Sequence, residues 1–136
     1  MPQIRLRTLF IATAICAALV WGSLSLVLRR PSLRTAARLE IIMLINACIM
    51  HRLNVKIFPD ALDDLHTVPA GMSQAEWGGP YLDRPVNKDP WRRPYVYYKD
   101  EANDRIVVTS IGPDGQSGTK DDISKELRGS SIDETL

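Results

Sequence analysis

Ser110-Ile-Gly-Pro-Asp-Gly-Gln-Ser-Gly-Thr-Lys-Asp-Asp-Ile123 is the stretch on which the fold of this chain turns. It places three carboxylates, Asp114, Asp121 and Asp122, and three glycines in one short loop after an apolar, strand-like run. Crowded carboxylates repel one another unless a cation or hydrogen-bond donors lie between them. Glycine tolerates positive φ and lets backbone carbonyls fold inward. Hard oxygen ligands on a flexible loop suit Ca2+, which takes about 6–8 oxygens. The spacing is not that of an EF-hand, whose third, fifth and twelfth positions fall here on Gln116, Gly118 and Lys125. On the residues alone two readings stay open: a calcium loop, and an exposed turn rich in Asp and Gly.

Working outward, Tyr95-Val-Tyr-Tyr98 and Arg105-Ile-Val-Val-Thr-Ser-Ile111 read as two strands, and the polar residues Lys99 to Asp104 fit the hairpin turn between them. The polar tail 124–136 is expected to fray. Val68 to Pro94 is rich in Pro and Gly and long for a loop in a compact domain. Its own side chains must fasten it, and Trp77, Tyr81, Leu82 and Trp91 are available. Before it, Phe58-Pro59 ends a helical stretch running from Thr35 to about Lys56, with Pro31 suited to a first turn. The middle of that helix, Leu39 to Met50, is apolar except for Glu40 and Asn46. A helix apolar on most sides must be buried on most sides, which leaves two readings: a core helix of a small domain, or a helix with one face on the domain and another on partner helices or lipid. Asp60 is placed to cap the next helix, with Leu62 and Leu65 facing inward.

Leu9 to Leu28 is an apolar run without charge, flanked by Arg5 and Arg7 and by Arg29 and Arg30. As a helix it reaches ~30 Å, enough to cross a bilayer. A cleaved signal peptide has a shorter apolar region of ~7–15 residues, and Cys16 follows Ile15 rather than the small residue of a lipoprotein signal. The expected layout is therefore a basic tail over 1–8, a transmembrane anchor over 9–28 and one folded domain over 31–123. Lys+Arg 17 against Asp+Glu 16, a net charge of +1, argues against a nucleic-acid partner. Cys16 and Cys48 are poorly placed to pair, and no Cys/His spacing matches a zinc site. His51 and His66 read as surface or helix-end histidines, Asp89 as a loop-fixing carboxylate, and Trp91 as a core anchor. Tyr95, Tyr97 and Tyr98 read as strand packing. Thr109 and Ser110 have no base beside them in sequence, and with no nucleophile-base pair or carboxylate dyad an enzyme is not expected.

Three motifs in order carry a family resemblance. Arg52-Leu-Asn-Val-Lys-Ile-Phe-Pro59 resembles the helix end of the major (G-type) pseudopilins of type II secretion systems. Gly79-Pro-Tyr-Leu82 and Lys88-Asp-Pro-Trp-Arg-Arg-Pro-Tyr95 resemble that family's Gly-Tyr-Ile and Asp-Pro-Trp-Gly-x-Pro-Tyr signature. Ser110 to Ile123 resembles its closing loop almost residue for residue. The resemblance covers roughly Thr35 to Ile123. It implies an α+β pilin-like fold, with the membrane helix and a long helix packed on a small antiparallel sheet. It also implies a structural role in a secretion-type assembly, and a Ca2+ site in the last loop. Carried over by position, the side-chain ligands are Asp114, Asp121 and Asp122, with backbone oxygens near Ile111 and Gln116. The implied partners are the lipid bilayer and other pseudopilin-like subunits or further copies of the chain. The alternative is a membrane-tethered, calcium-stabilised binding module outside any filament.

The family's leader ends in Gly before a mature amino-terminal Phe, and its members carry Glu as fifth mature residue. Here Met1-Pro-Gln-Ile-Arg-Leu-Arg-Thr-Leu-Phe10 runs straight into the apolar stretch, and the first acidic residue is Glu40. The anchor is accordingly expected to be retained. Arg29, Arg30, Arg34 and Arg38 lean the positive-inside rule towards a cytoplasmic domain. The resemblance outweighs it, and the expected location is the bacterial inner membrane with the domain periplasmic.

Overall fold

The first described element, α1 (Leu33–Val55), owes its start to Ser32. The Ser32 hydroxyl accepts from Thr35 N at 3.2 Å, satisfying one of the free amides of the first turn. The helix stops at Lys56, which takes a left-handed φ of 72° and donates its N–H to Arg52 O at 2.8 Å. The computed structural model describes residues 32–133. The expected tail 1–8, the anchor Leu9–Leu28 with Cys16, and Pro31 lie outside the described residues. Among the described residues no helix is long and apolar enough to cross a membrane.

Ala37, Ile41, Leu44, Ile45, Ala47, Cys48 and His51 recur at helical spacing and form the buried face of α1. They pack on a three-stranded antiparallel sheet in the order β1 (Val96–Asp100), β2 (Arg105–Ser110), β3 (Ile123–Arg128). β2 alternates cleanly, with Ile106, Val108 and Ser110 buried and its other residues half-buried. Across it, Tyr97 opposes Val108, Ser110 opposes Ile123 and Ile106 opposes Leu127, so one face of the sheet continues the core under α1. The fold class is α+β, as the sequence predicts; β2 lies where expected, while β1 runs on through Lys99 and Asp100, which pair with Ile106 and Arg105 and shorten the expected turn to Glu101–Asp104.

Two expectations are corrected. Residues 124–128 do not fray. They form β3, because Ile123 and Leu127 supply the apolar alternation that docks a polar strand on β2. The end of that strand is then held: Gly129 N donates to Asp104 O at 2.9 Å, and Asp104 takes a bidentate ion pair from Arg52 of α1 at 2.7 and 2.8 Å. A short helix, α3 (Ser130–Asp133), follows. Asp60, second, does not cap a helix. The next element is a 3-10 turn, Leu62–Leu65, and it is the Asp64 carboxylate that reaches back to Asp60 N and Ala61 N at 3.1 and 2.9 Å. The Asp60 carboxylate pairs with Lys99 on β1.

The long Pro/Gly segment is fastened by the aromatic residues the sequence singles out. It contains one short helix, α2 (Gln74–Trp77), capped by Ser73. Trp77 is buried and donates Nε1–H to Asp64 O at 2.8 Å. Tyr81 stands edge-on to both Trp77 and His51, and its hydroxyl donates to Trp77 O. Tyr81 N and Leu82 N both donate to Leu65 O, and His66 Nδ1 bonds Leu82 O at 3.0 Å.

Candidate functional site

The acidic loop begins where β2 ends, and its base is a buried lock. Asp89 is 3% exposed. Its Oδ1 accepts from Trp91 N at 3.0 Å and Arg93 N at 2.8 Å, and its Oδ2 accepts from Ser110 Oγ at 2.6 Å. Backbone bonds from Asp89 N to Arg93 O and from Arg92 N to Asp89 O close the turn. Asp89 thus fixes the Pro-Trp turn and welds it to the start of the loop, the loop-fixing role expected of it. Ser110, set aside for want of a base, has this structural partner instead. Trp91 is half-buried and packs against the core.

Inside the loop the three carboxylates accept hydrogen bonds from the loop's own backbone amides and from the Thr119 hydroxyl. Asp114 Oδ1 accepts from Gln116 N at 2.9 Å. Asp121 Oδ2 accepts from Asp114 N at 3.2 Å, and its Oδ1 from the Thr119 hydroxyl at 2.5 Å. Asp122 Oδ2 accepts from Gly118 N at 2.7 Å. The Thr119 hydroxyl bond, then the bonds from Asp114, hold the Asp121 carboxyl below the usual carboxylate range, so it stays ionised. Gly112, at φ 63°, lies under Asp121: a Cβ there would come within 2.6 Å of both Asp121 O and Oδ2.

Tested against a calcium shell, the donor set fits in part. Asp122 Oδ1 is buried and has no hydrogen-bond partner, the condition of a ligand oxygen facing a cation. The other expected ligands are less gathered. Among the described residues no three acidic, histidine or cysteine side chains lie close enough together to hold a metal ion. Ile111 follows β2 half-buried, and Gln116 O accepts from the Thr119 hydroxyl at 3.3 Å.

One participant is absent from the sequence reading. Arg93 reaches across from the Asp89 turn and donates to Gly112 O, and to Pro113 O at 3.2 Å. Its guanidinium lies where a Cβ on Gly115 would be, 2.6 Å from Cζ. The signal that would have revealed it is the Arg92-Arg93 pair, standing where the resemblance has Gly-x. Arg92 carries a φ of 69°, a glycine conformation held by a residue with a Cβ.

The second candidate surface is the outer face of α1. Leu39, Met43 and Met50 are 53%, 52% and 53% exposed, and Ile42 stands beside them at 40%. They recur along one side of the helix. Leu44 and Ile45, at 6% and 2%, belong to the core instead. His51 is also core: burial and the Ile57 O contact of its Nδ1 place it under the helix end rather than on the surface.

Comparison with known proteins agrees with this architecture. The type II secretion system protein G family model matches residues 29–126. Type II secretion system core protein G of Aeromonas hydrophila is 33% identical over 89 residues, which is 62% of this chain and 62% of that protein. The major pseudopilin of the type 2 secretion system of enterohaemorrhagic Escherichia coli superposes with a TM-score of 0.54 at 28% identity, over 69% of this chain and 86% of that one.

Proposed function

Because the chain belongs to the type II secretion system protein G family, we propose that it works as an inner-membrane-anchored pseudopilin that assembles with other pseudopilin subunits. The observation that carries this reading is the apolar side of α1. Leu39, Ile42, Met43 and Met50 stay exposed on a helix whose opposite side is already buried, and a second helix is the surface that best covers such a stripe. The role is structural, with no catalysis. The run Leu9–Leu28 is its bilayer partner in this reading, and the domain is periplasmic.

The same reading gives the closing loop a Ca2+ ion held by Asp114, Asp121 and Asp122 with backbone oxygens of Ile111 and Gln116. The unpartnered Asp122 Oδ1 supports it. Bound there, the ion would add positive charge beside the loop carboxylates and would stabilise the folded loop by mass action.

Cysteine crosslinking of the full chain in membranes tests assembly. Cysteines replacing Met43 and Leu39 are expected to join subunits through α1. No crosslink between copies or to other pseudopilins at any stripe position would defeat the assembly reading. Intact mass of the extracted protein tests the anchor, since a mature form starting within or after 9–28 would refute it.

A further inference from the structure

We infer that Arg93 is the acidic loop's built-in cation, and that it holds the loop closed before any metal ion binds. The guanidinium is delivered by a rigid arm. Arg93 N and Arg93 O are both bonded to Asp89, whose own carboxylate is buried against Ser110. From that arm it bridges Gly112 O and Pro113 O and lies over Gly115, which at φ 72° has no Cβ to oppose it. A planar, always-charged fork suits two adjacent carbonyls on one turn. It thereby fixes a positive charge, supplied by the chain itself, on the backbone carbonyls at the start of the acidic loop. The carboxylates in turn accept from Gln116 N, Asp114 N and Gly118 N, so protein donors brace both the loop's carbonyls and its carboxylates.

A loop braced in this way keeps its closed form at low calcium, and an ion at Asp122 adds to a structure already formed. This rests on the calcium reading only for the ion's added effect. The bracing itself stands on the Arg93 contacts.

The test is hydrogen exchange of residues 112–122 in the full-length protein in detergent, as wild type, Arg93→Gln and Arg93→Lys, each with Ca2+ and with chelator. Wild-type protection is expected to be nearly the same in both conditions. Arg93→Gln in chelator should exchange about tenfold faster or more, the scale of a lost charge-assisted hydrogen bond, with Ca2+ restoring protection. Arg93→Lys should fall between them, because an ammonium cannot fork. If Arg93→Gln does not fold, Arg93→Lys against wild type carries the comparison. Equal exchange of the variants and wild type in chelator overturns the proposal, as does a wild-type loop that opens when calcium is removed. Calorimetric titration of Ca2+ into the wild-type protein separates the two readings. No binding heat there defeats the ion while leaving the chelator comparison to judge Arg93.

Discussion

Ser110 Oγ donates to Asp89 Oδ2 at 2.6 Å, and both side chains are buried. The bond joins residues 21 apart in sequence at the point where β2 becomes the acidic loop. One carboxylate thereby sets the position of the Trp91 turn, of Arg93 and of the loop together.

Ser110→Ala is expected to cost about 1.5–3 kcal/mol, the usual loss for a buried hydrogen bond to a charged group. Asp89→Ala, which also frees Trp91 N and Arg93 N, should cost more. Urea unfolding with an unchanged m-value measures both. A Ser110→Ala midpoint equal to wild type would mean the lock carries no strength.

The two sides of α1 should answer a charge differently. Leu39→Lys and Met43→Lys are expected to leave stability within about 0.5 kcal/mol, as exposed substitutions do, while removing crosslinking between subunits. Ile45→Lys buries an unpaired ammonium and should unfold the domain. Circular dichroism run beside the crosslinking assay checks all three. Stripe variants that still crosslink like wild type would show that the face is not an interface.

His51 gives the fold an acid-sensitive point. Burial lowers its pKa below the usual value, against the Ile57 O contact that raises it. Ile57 O can only accept, so Nδ1 carries the proton of the neutral ring, and Nε2 is buried with no partner. Protonating Nε2 would place an N–H against no acceptor. With the folded pKa depressed, the unfolded chain takes up the proton first. Stability is therefore full above about pH 6.5 and declines as pH falls towards the folded pKa, by at most about 1.4 kcal/mol per pH unit. Urea midpoints between pH 7.5 and 5 should show this slope, and His51→Gln should flatten it. An identical slope in the variant removes His51 as the cause.

Arg92→Gly should stabilise. A left-handed φ costs a residue with a Cβ about 1–2 kcal/mol, and the extra freedom of glycine in the unfolded chain returns part of that, leaving up to about 1 kcal/mol. The bond from Arg92 N to Asp89 O is kept. Differential scanning calorimetry should show a melting point several degrees higher, and a lower one would mean the Arg92 side chain contributes something its exposure conceals.

Much of the fold was legible because its signals are local. Gly- and Pro-free spacing marked α1, alternation marked β1 and β2, and Trp77 and Tyr81 announced the fastening of the loop. β3 was missed because Lys125 and Glu126 hide an alternation that only Ile123 and Leu127 carry, and pairing with β2 supplies the rest. His51 sits at the helix end, as read, but its burial was hidden because it comes from Tyr81 and Ile57, contacts made by chain far along the fold or beyond the helix end. In the acidic loop, Asp114, Asp121 and Asp122 stood out by composition. Arg93 did not, since its part depends on an arm built by Asp89 and on carbonyls about twenty residues away.

The cysteine under α1 carries one more consequence. Cys48 is wholly buried, and burial pushes its thiol up to about 12. A free thiol is a hazard where disulfides form, because the thiolate is the reactive species. Here that species is nearly absent at neutral pH, so α1 carries the thiol as though it were a small hydrophobe. The shield fails only when the helix lifts from the sheet, which makes the speed of thiol labelling at Cys48 a built-in gauge of how often the domain opens.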